Sequence, residues 1–150
     1  MLLALIVWIG GIIFFAFVET RTLFTVLPTT RLAGDVVSAS LTKLHWMGLV
    51  SGFVFLVSSL LYNQQRHLQL RPLAAEHVLA VLMLILTAIS QFGITPRMRQ
   101  LRVEFQGATS NSTQRAEFDH LHEWSTRLEG GVLLCGLVIV FVTARRFGES

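Results

Sequence analysis

The sequence predicts an all-α integral membrane protein, a four-helix bundle whose helices extend into solvent on one side. Three observations predict it. Mean hydropathy is +0.62. Apolar residues make up 53% of the 150 positions and charged residues only 14%, against roughly 25% charged in an average soluble domain. Four stretches are also long and apolar enough to cross a hydrocarbon core about 30 Å thick, which takes roughly 17 to 25 helical residues. A soluble fold of this length would have to hide too many apolar side chains, and the chain is too apolar for disorder. One transmembrane domain over residues 1–150 fits the length.

The first span covers residues 2–18 and carries no charge. It lacks a basic leader and an A-x-A cleavage site, so it reads as a retained helix rather than a signal peptide. The others cover residues 44–62, 73–95 and 128–145, the last most apolar between Gly130 and Thr143. Four spans put both termini on one side, side A, with the connection Asn63–Pro72. Side B holds the segments Glu19–Lys43 and Pro96–Glu129. Of the 12 Lys and Arg residues, side A holds Arg66, Arg71, Arg145 and Arg146, and side B the other eight. The positive-inside rule therefore places side B in the cytoplasm and both termini outside. The expected location is a bacterial cytoplasmic membrane. The Arg145-Arg146 pair beside the last span argues against this orientation.

The side-B segments read as helices. Thr29-Thr30 after Pro28 suits a cap for a helix running through Val36, Val37 and Leu41 into the second span. Met98, Leu101 and Phe105 after Pro96 continue the third helix past a kink. Phe118, Leu121, Trp124 and Leu128 form a stripe leading into the fourth. Gln106 to Thr113, rich in Gly, Ser, Thr and Asn, reads as a turn.

Several function classes drop out. Twelve basic residues against nine acidic ones are too balanced and dispersed for nucleic acid. The single cysteine, Cys135, excludes a disulfide framework and a cysteine zinc finger. The sequence carries no phosphate loop, nucleophile elbow, paired glycosidase acids or metalloprotease helix motif, so no enzyme class is supported.

Helical spacing sorts the polar residues onto faces. His45, Gly48 and Gly52 share one face of the second helix. Phe118, His122, Ser125, Glu129 and Gly136 share one on the fourth. Trp8, Gly11, Phe15 and Glu19 share one on the first, and Thr87, Gln91 and Thr95 one on the third. The glycines suit close helix contact inside lipid. Each face carries polar groups at its side-B end, so His45, His122, Glu129, Glu19 and Gln91 are expected at one depth. Ionisable groups near hydrocarbon are costly. Two readings stay open: interfacial residues that pair with one another and with Lys43 or Arg127, or a binding site between helix ends. In the second reading His45 and His122 are ligands of haem or of a transition-metal ion such as copper or zinc. Glu129 is a charge partner or third ligand, and Ser125 and Gln91 orient. His120 stands off this face and reads as solvated, while His67 and His77 belong to side A. Cys135 reads as a packing residue.

The residues so collected resemble the transmembrane protein 205-like family, also called domain of unknown function 4149. Trp8-Ile9-Gly10-Gly11 with Phe14-Phe15-Ala16-Phe17 is similar to its first helix, and Leu44-His45-Trp46-Met47-Gly48 to the start of its second. Ile94-Thr95-Pro96-Arg97-Met98 with Leu101-Arg102 resembles its third-helix exit. Phe118-x-x-Leu121-His122-x-x-Ser125 resembles its signature before the last helix. The resemblance covers nearly the whole chain and implies a compact four-span protein of unassigned activity. It departs at Glu129, where the family usually has Asn; an ionised Glu only accepts hydrogen bonds and favours a cation or a basic partner. The Trp8-x-Gly10-Gly11 start is also distantly similar to copper-resistance and haem-related four-span proteins.

The expected function is thus a small membrane bundle binding haem or a transition metal at one face. One alternative is an accessory subunit docked in a larger membrane complex through its glycine faces. Another is a small-cation transporter, which four spans can build only as a homo-oligomer.

Overall fold

The computed structural model describes residues 2–65, 75–104 and 112–148. Among them the chain forms four helices: α1, Leu2–Val26; α2, Thr30–Gln65; α3, Ala75–Glu104; and α4, Ser112–Gly148. Each is long and apolar enough to cross a membrane. Each packs on its neighbour in sequence, and α1 closes against α4, giving an up-down-up-down bundle. At 1.5 Å per residue the 36 residues of α2 span about 54 Å, far more than the roughly 30 Å of hydrocarbon. The excess lies at the side-B end, where the helices project beyond the apolar spans. The connection 66–74 and the turn through Asn111 lie outside the described residues, and α4 is already helical at Ser112.

Local chemistry accounts for the helix boundaries. α1 ends at Leu27, whose backbone is extended (φ −78°, ψ 140°), as the residue before Pro28 must be. Thr29 then caps α2, its Oγ1 accepting from Leu32 N–H at 3.2 Å, which satisfies an otherwise orphaned donor.

The core forms where the small faces meet. Trp8 is 2% exposed, and its indole lies across Gly48 and Gly52 of α2. A Cβ on Gly48 would sit 2.4 Å from Trp8 Nε1, and one on Gly52 2.4 Å from Cζ3. Gly11 faces Met47 and Gly136 faces Ile9 in the same manner. Leu5, Ile12, Phe55, Met83, Val132 and Ile139 complete the buried cluster, with Cys135 packed at its edge. The outward faces stay apolar: Leu3 is 75% exposed, Phe53 66% and Leu134 66%. Side chains like these in such number belong against lipid, not water.

Two helices depart from α geometry at the same end of the bundle. α1 makes a π-helical turn over Phe15–Glu19 and α3 one over Ile89–Ile94. Pro96 explains the second. It has no N–H, and its ring clashes with the carbonyl four residues back. Widening the preceding turn relieves the clash, and Thr95 Oγ1 donates to Ser90 O at 2.9 Å. Thr20 Oγ1 donates to Phe15 O at 2.9 Å in the same way. α3 therefore passes Pro96 as one continuous helix rather than breaking there.

Candidate functional site

The α2 face that begins with Gly52 and Gly48 ends at His45. Packing Trp8 against the glycines draws α1 and α2 together. The face of α3 that carries Thr87 and Gln91 packs on α2 from the other side. The result is a fully buried imidazole, 2% exposed, with both ring nitrogens engaged. His45 Nδ1 lies 2.9 Å from Gln91 Oε1, and Nε2 lies 2.5 Å from Glu129 Oε1 of α4. With the amide oxygen facing it, Nδ1 carries the hydrogen and donates. A proton also lies between Nε2 and Oε1, because two lone pairs do not approach so closely. His45 thus ties three helices together at the level where the apolar spans end.

Above this contact, toward side B, the four helices line a partly open cavity of about 600 Å³. Glu129, Ser125 and Thr95 lie at its inner end. Phe15, Val37, Leu41 and Met98 form apolar walls. Arg31, Arg102, Phe24 and Phe118 surround its outer end. The π turns bear on this space directly, since Phe15, Ala16, Thr20 and Thr95 all line it. π turns are frequent at functional sites.

The structure distributes the sequence-expected site residues as follows. His45, Gln91 and Glu129 are in contact. Ser125 is 5% exposed and lines the cavity beside Glu129. His122 also lines it but does not reach His45. Its ring stacks on Phe118, parallel within 2° with centroids 6.4 Å apart, and its nitrogens make no hydrogen bond among the described residues. It lies seven residues from Glu129 on α4, about 10 Å along the axis. Glu19 closes the π turn of α1 and is not part of the cavity wall. No group of three His, Cys, Asp or Glu residues that could hold a metal ion occurs among the described residues. The trio His45, His122 and Glu129 is not gathered about one point, and His45 has no ring nitrogen to spare. These residues therefore do not fit a three-ligand metal centre.

The remaining histidines lie elsewhere. His120 accepts from Trp124 Nε1 at 3.1 Å on an exposed face. His77, 6% exposed, meets Ser59 at the side-A end, Nε2 to Oγ 3.1 Å. His67 lies outside the described residues.

Sequence reasoning did not offer Arg31 or Arg102 as site residues, although Arg102 belongs to the third-helix-exit motif. Arg102 Nη1 donates to Gly34 O and lies 3.3 Å from Asp35 Oδ1. Its guanidinium covers the Phe118 ring at 5.5 Å. Arginines on solvated helix extensions look alike in a sequence. Only the position of Arg102 one turn beyond Met98, on the continued α3 face, pointed inward.

Three comparisons bear on kinship. No curated protein matches the chain, and no solved structure does. The family model described as Domain of unknown function (DUF4149) matches residues 3–106. That is more than half of the chain and includes α1, α2 and α3, so His122, Ser125 and Glu129 on α4 lie beyond the match. With four membrane-length helices in the expected order, the chain belongs to the DUF4149 family.

Proposed function

We propose that this protein is an integral membrane binding protein and that the side-B cavity is its binding site. The reading rests on one observation. A space of about 600 Å³, within the usual range for small-molecule sites, has apolar walls and a few convergent polar groups at its ends. Its ligand is a small, largely apolar molecule with polar groups. Side B faces the cytoplasm in this reading.

The test uses protein in phosphatidylcholine nanodiscs and the uncharged fluorophore N-phenylnaphthylamine. Saturable emission above that of empty discs is expected, and Val37→Trp, which puts an indole into the narrow apolar stretch of the cavity, should weaken it strongly. Binding that Val37→Trp leaves unchanged, or no saturable binding at all, would overturn the reading.

A second reading keeps haem as the ligand. It is favoured by the His122 imidazole, which lines the cavity with neither nitrogen bonded. Haem would supply redox or gas-binding chemistry. The chain would supply His122 as an iron ligand and the apolar walls as the pocket. A Soret band in native preparations, lost in His122→Ala, is its expected signature. A preparation that stays unable to bind added hemin removes it.

A further inference from the structure

We propose that the ligand of this cavity is an anionic amphiphile, with a carboxylate, phosphate or sulfonate group held at the outer end by Arg31 and Arg102. The inference rests on the cavity being the binding site, and it adds the charge and direction of what enters.

The charge inventory of the lining sets the sign. Arg31 and Arg102 are its permanent cations, and Glu129 is its sole carboxylate. Glu129 already meets His45 at 2.5 Å, so its charge is answered from within the bundle. The inner end is therefore internally matched. At the outer end Asp35 offsets Arg102 in part, at 3.3 Å, and the charge of Arg31 leaves that end net basic. A cationic ligand would have to pass two guanidinium groups to compete for a carboxylate that has a partner.

The two arginines stand close enough to act together. Arg31 and Gly34 are three residues apart and share a face of α2. The Arg102 guanidinium rests on Gly34, where a Cβ would lie 3.4 Å from Nη1. The Arg102 guanidinium thus rests about one turn of α2 from the backbone of Arg31, and both side chains line the same cavity. Arg31 has no ion pair among the described residues. Arg102 donates to Gly34 and Asp35 through Nη1 alone, which leaves Nε and Nη2 to donate. A guanidinium fork matches the planar or tetrahedral oxygens of such anions.

The rest of the cavity fixes the ligand's body. Val37, Leu41, Met98 and Phe15 line the stretch below the arginines, and Ser125, Thr95 and Glu129 wait at the far end. An unsubstituted acyl chain would end on those polar groups. A compact apolar body with a hydrogen-bonding group opposite the anion satisfies both ends.

The experiment compares anilinonaphthalene sulfonate with its uncharged parent, N-phenylnaphthylamine, in nanodiscs of phosphatidylcholine. The sulfonate should bind more tightly and weaken as salt rises. Arg31→Gln, an exposed change that touches no core residue, should weaken the sulfonate about five- to tenfold and leave the parent unchanged. Equal affinity for the two probes, or an equal effect of Arg31→Gln on both, overturns the anionic assignment while leaving the cavity as a binding site. Failure of both probes overturns the cavity reading itself. Two further arms separate the sources of the anion. Displacement of the sulfonate by phosphatidylglycerol built into the disc identifies a lipid headgroup. Displacement by free 1-naphthyl phosphate, a compact aromatic anion, in neutral discs, without an effect of phosphatidylglycerol, identifies a ligand from the aqueous phase. Displacement by neither overturns the assignment.

Discussion

Glu129 of α4 reaches across the bundle to His45 of α2, and their side chains meet at 2.5 Å with the imidazole 1% exposed and the carboxylate 18%. A buried ion or acid–base pair of this kind is weak grounds for net stability, since desolvation offsets attraction. Removing one partner alone is different. It strands the other polar group in a low-dielectric site. His45→Ala and Glu129→Ala should each lower stability, and a double-mutant cycle should return a coupling of about 1–2 kcal/mol, near the upper end for polar contacts in membrane bundles. Unfolding followed by circular dichroism as dodecyl sulfate is added would measure it. A coupling near zero would mean that each residue is held by other contacts.

The glycines divide into two kinds. At Gly48 and Gly52 the Trp8 ring occupies the space of a side chain, whereas Gly10, Gly93 and Gly130 have nothing within 4 Å. Gly48→Ala should therefore destabilise the bundle by about 1–3 kcal/mol through overpacking. Gly130→Ala should be neutral or stabilising by up to about 1 kcal/mol, the helix-propensity gain. The same dodecyl sulfate titration distinguishes them. Trp8→Phe should recover part of the Gly48→Ala loss, because the smaller ring vacates the position of Nε1.

How far the sequence carried depends on which force acts. Spans were legible because a bilayer demands a fixed length of apolar helix, and four helices among the described residues meet that demand. The faces were legible because period 3.6 survives tertiary packing. Phe118, His122, Ser125 and Glu129 line one cavity, and Gly48 and Gly52 meet one indole. The π turns at Phe15–Glu19 and Ile89–Ile94 were not legible. Each places an extra residue in a turn and so rotates everything beyond it. Pro96 signalled a disturbance, but a kink and a π turn answer the same clash. Equal depth also did not decide contact. His45 and His122 both belong to the side-B end, yet the first points into the bundle and the second into the cavity. Which nitrogen meets which oxygen is decided by inter-helix rotation of a few tens of degrees.

Register supplies a further prediction. Ser59 lies about four turns along α2 from His45, and His77 about four turns along α3 from Gln91. The antiparallel pair is thus fastened twice, His45 to Gln91 at 2.9 Å and Ser59 to His77 at 3.1 Å, with the apolar Phe55 and Met83 level between. The two fastenings share no residue and stand far enough apart to act independently. Gln91→Leu and Ser59→Ala should lower stability additively, each by about 0.5–1.5 kcal/mol. A strongly non-additive double variant would show that the α2–α3 register slips as a unit once either end is freed.

The cavity makes a prediction about water. Cys135 of α4 is the single cysteine, half-buried and packed against the core. It therefore stands among apolar side chains, where charged reagents do not partition. In intact nanodiscs it should not react with a membrane-impermeant, charged methanethiosulfonate. Cysteines placed in a Cys135→Ala background should follow the depth of the cavity. Ser38→Cys, near its outer part, should react quickly. Leu41→Cys, one turn deeper, should react about tenfold or more slowly, because the reagent must pass Arg31 and Arg102 and shed water on the apolar walls. Gly52→Cys should not react at all, since Trp8 covers that position. A cationic reagent should lag an anionic one of equal size at Ser38→Cys, as the basic outer end requires. Equal rates for reagents of both signs would show that the arginines are screened from the cavity. Rapid labelling at Leu41→Cys would show that the space is an open cleft filled with water.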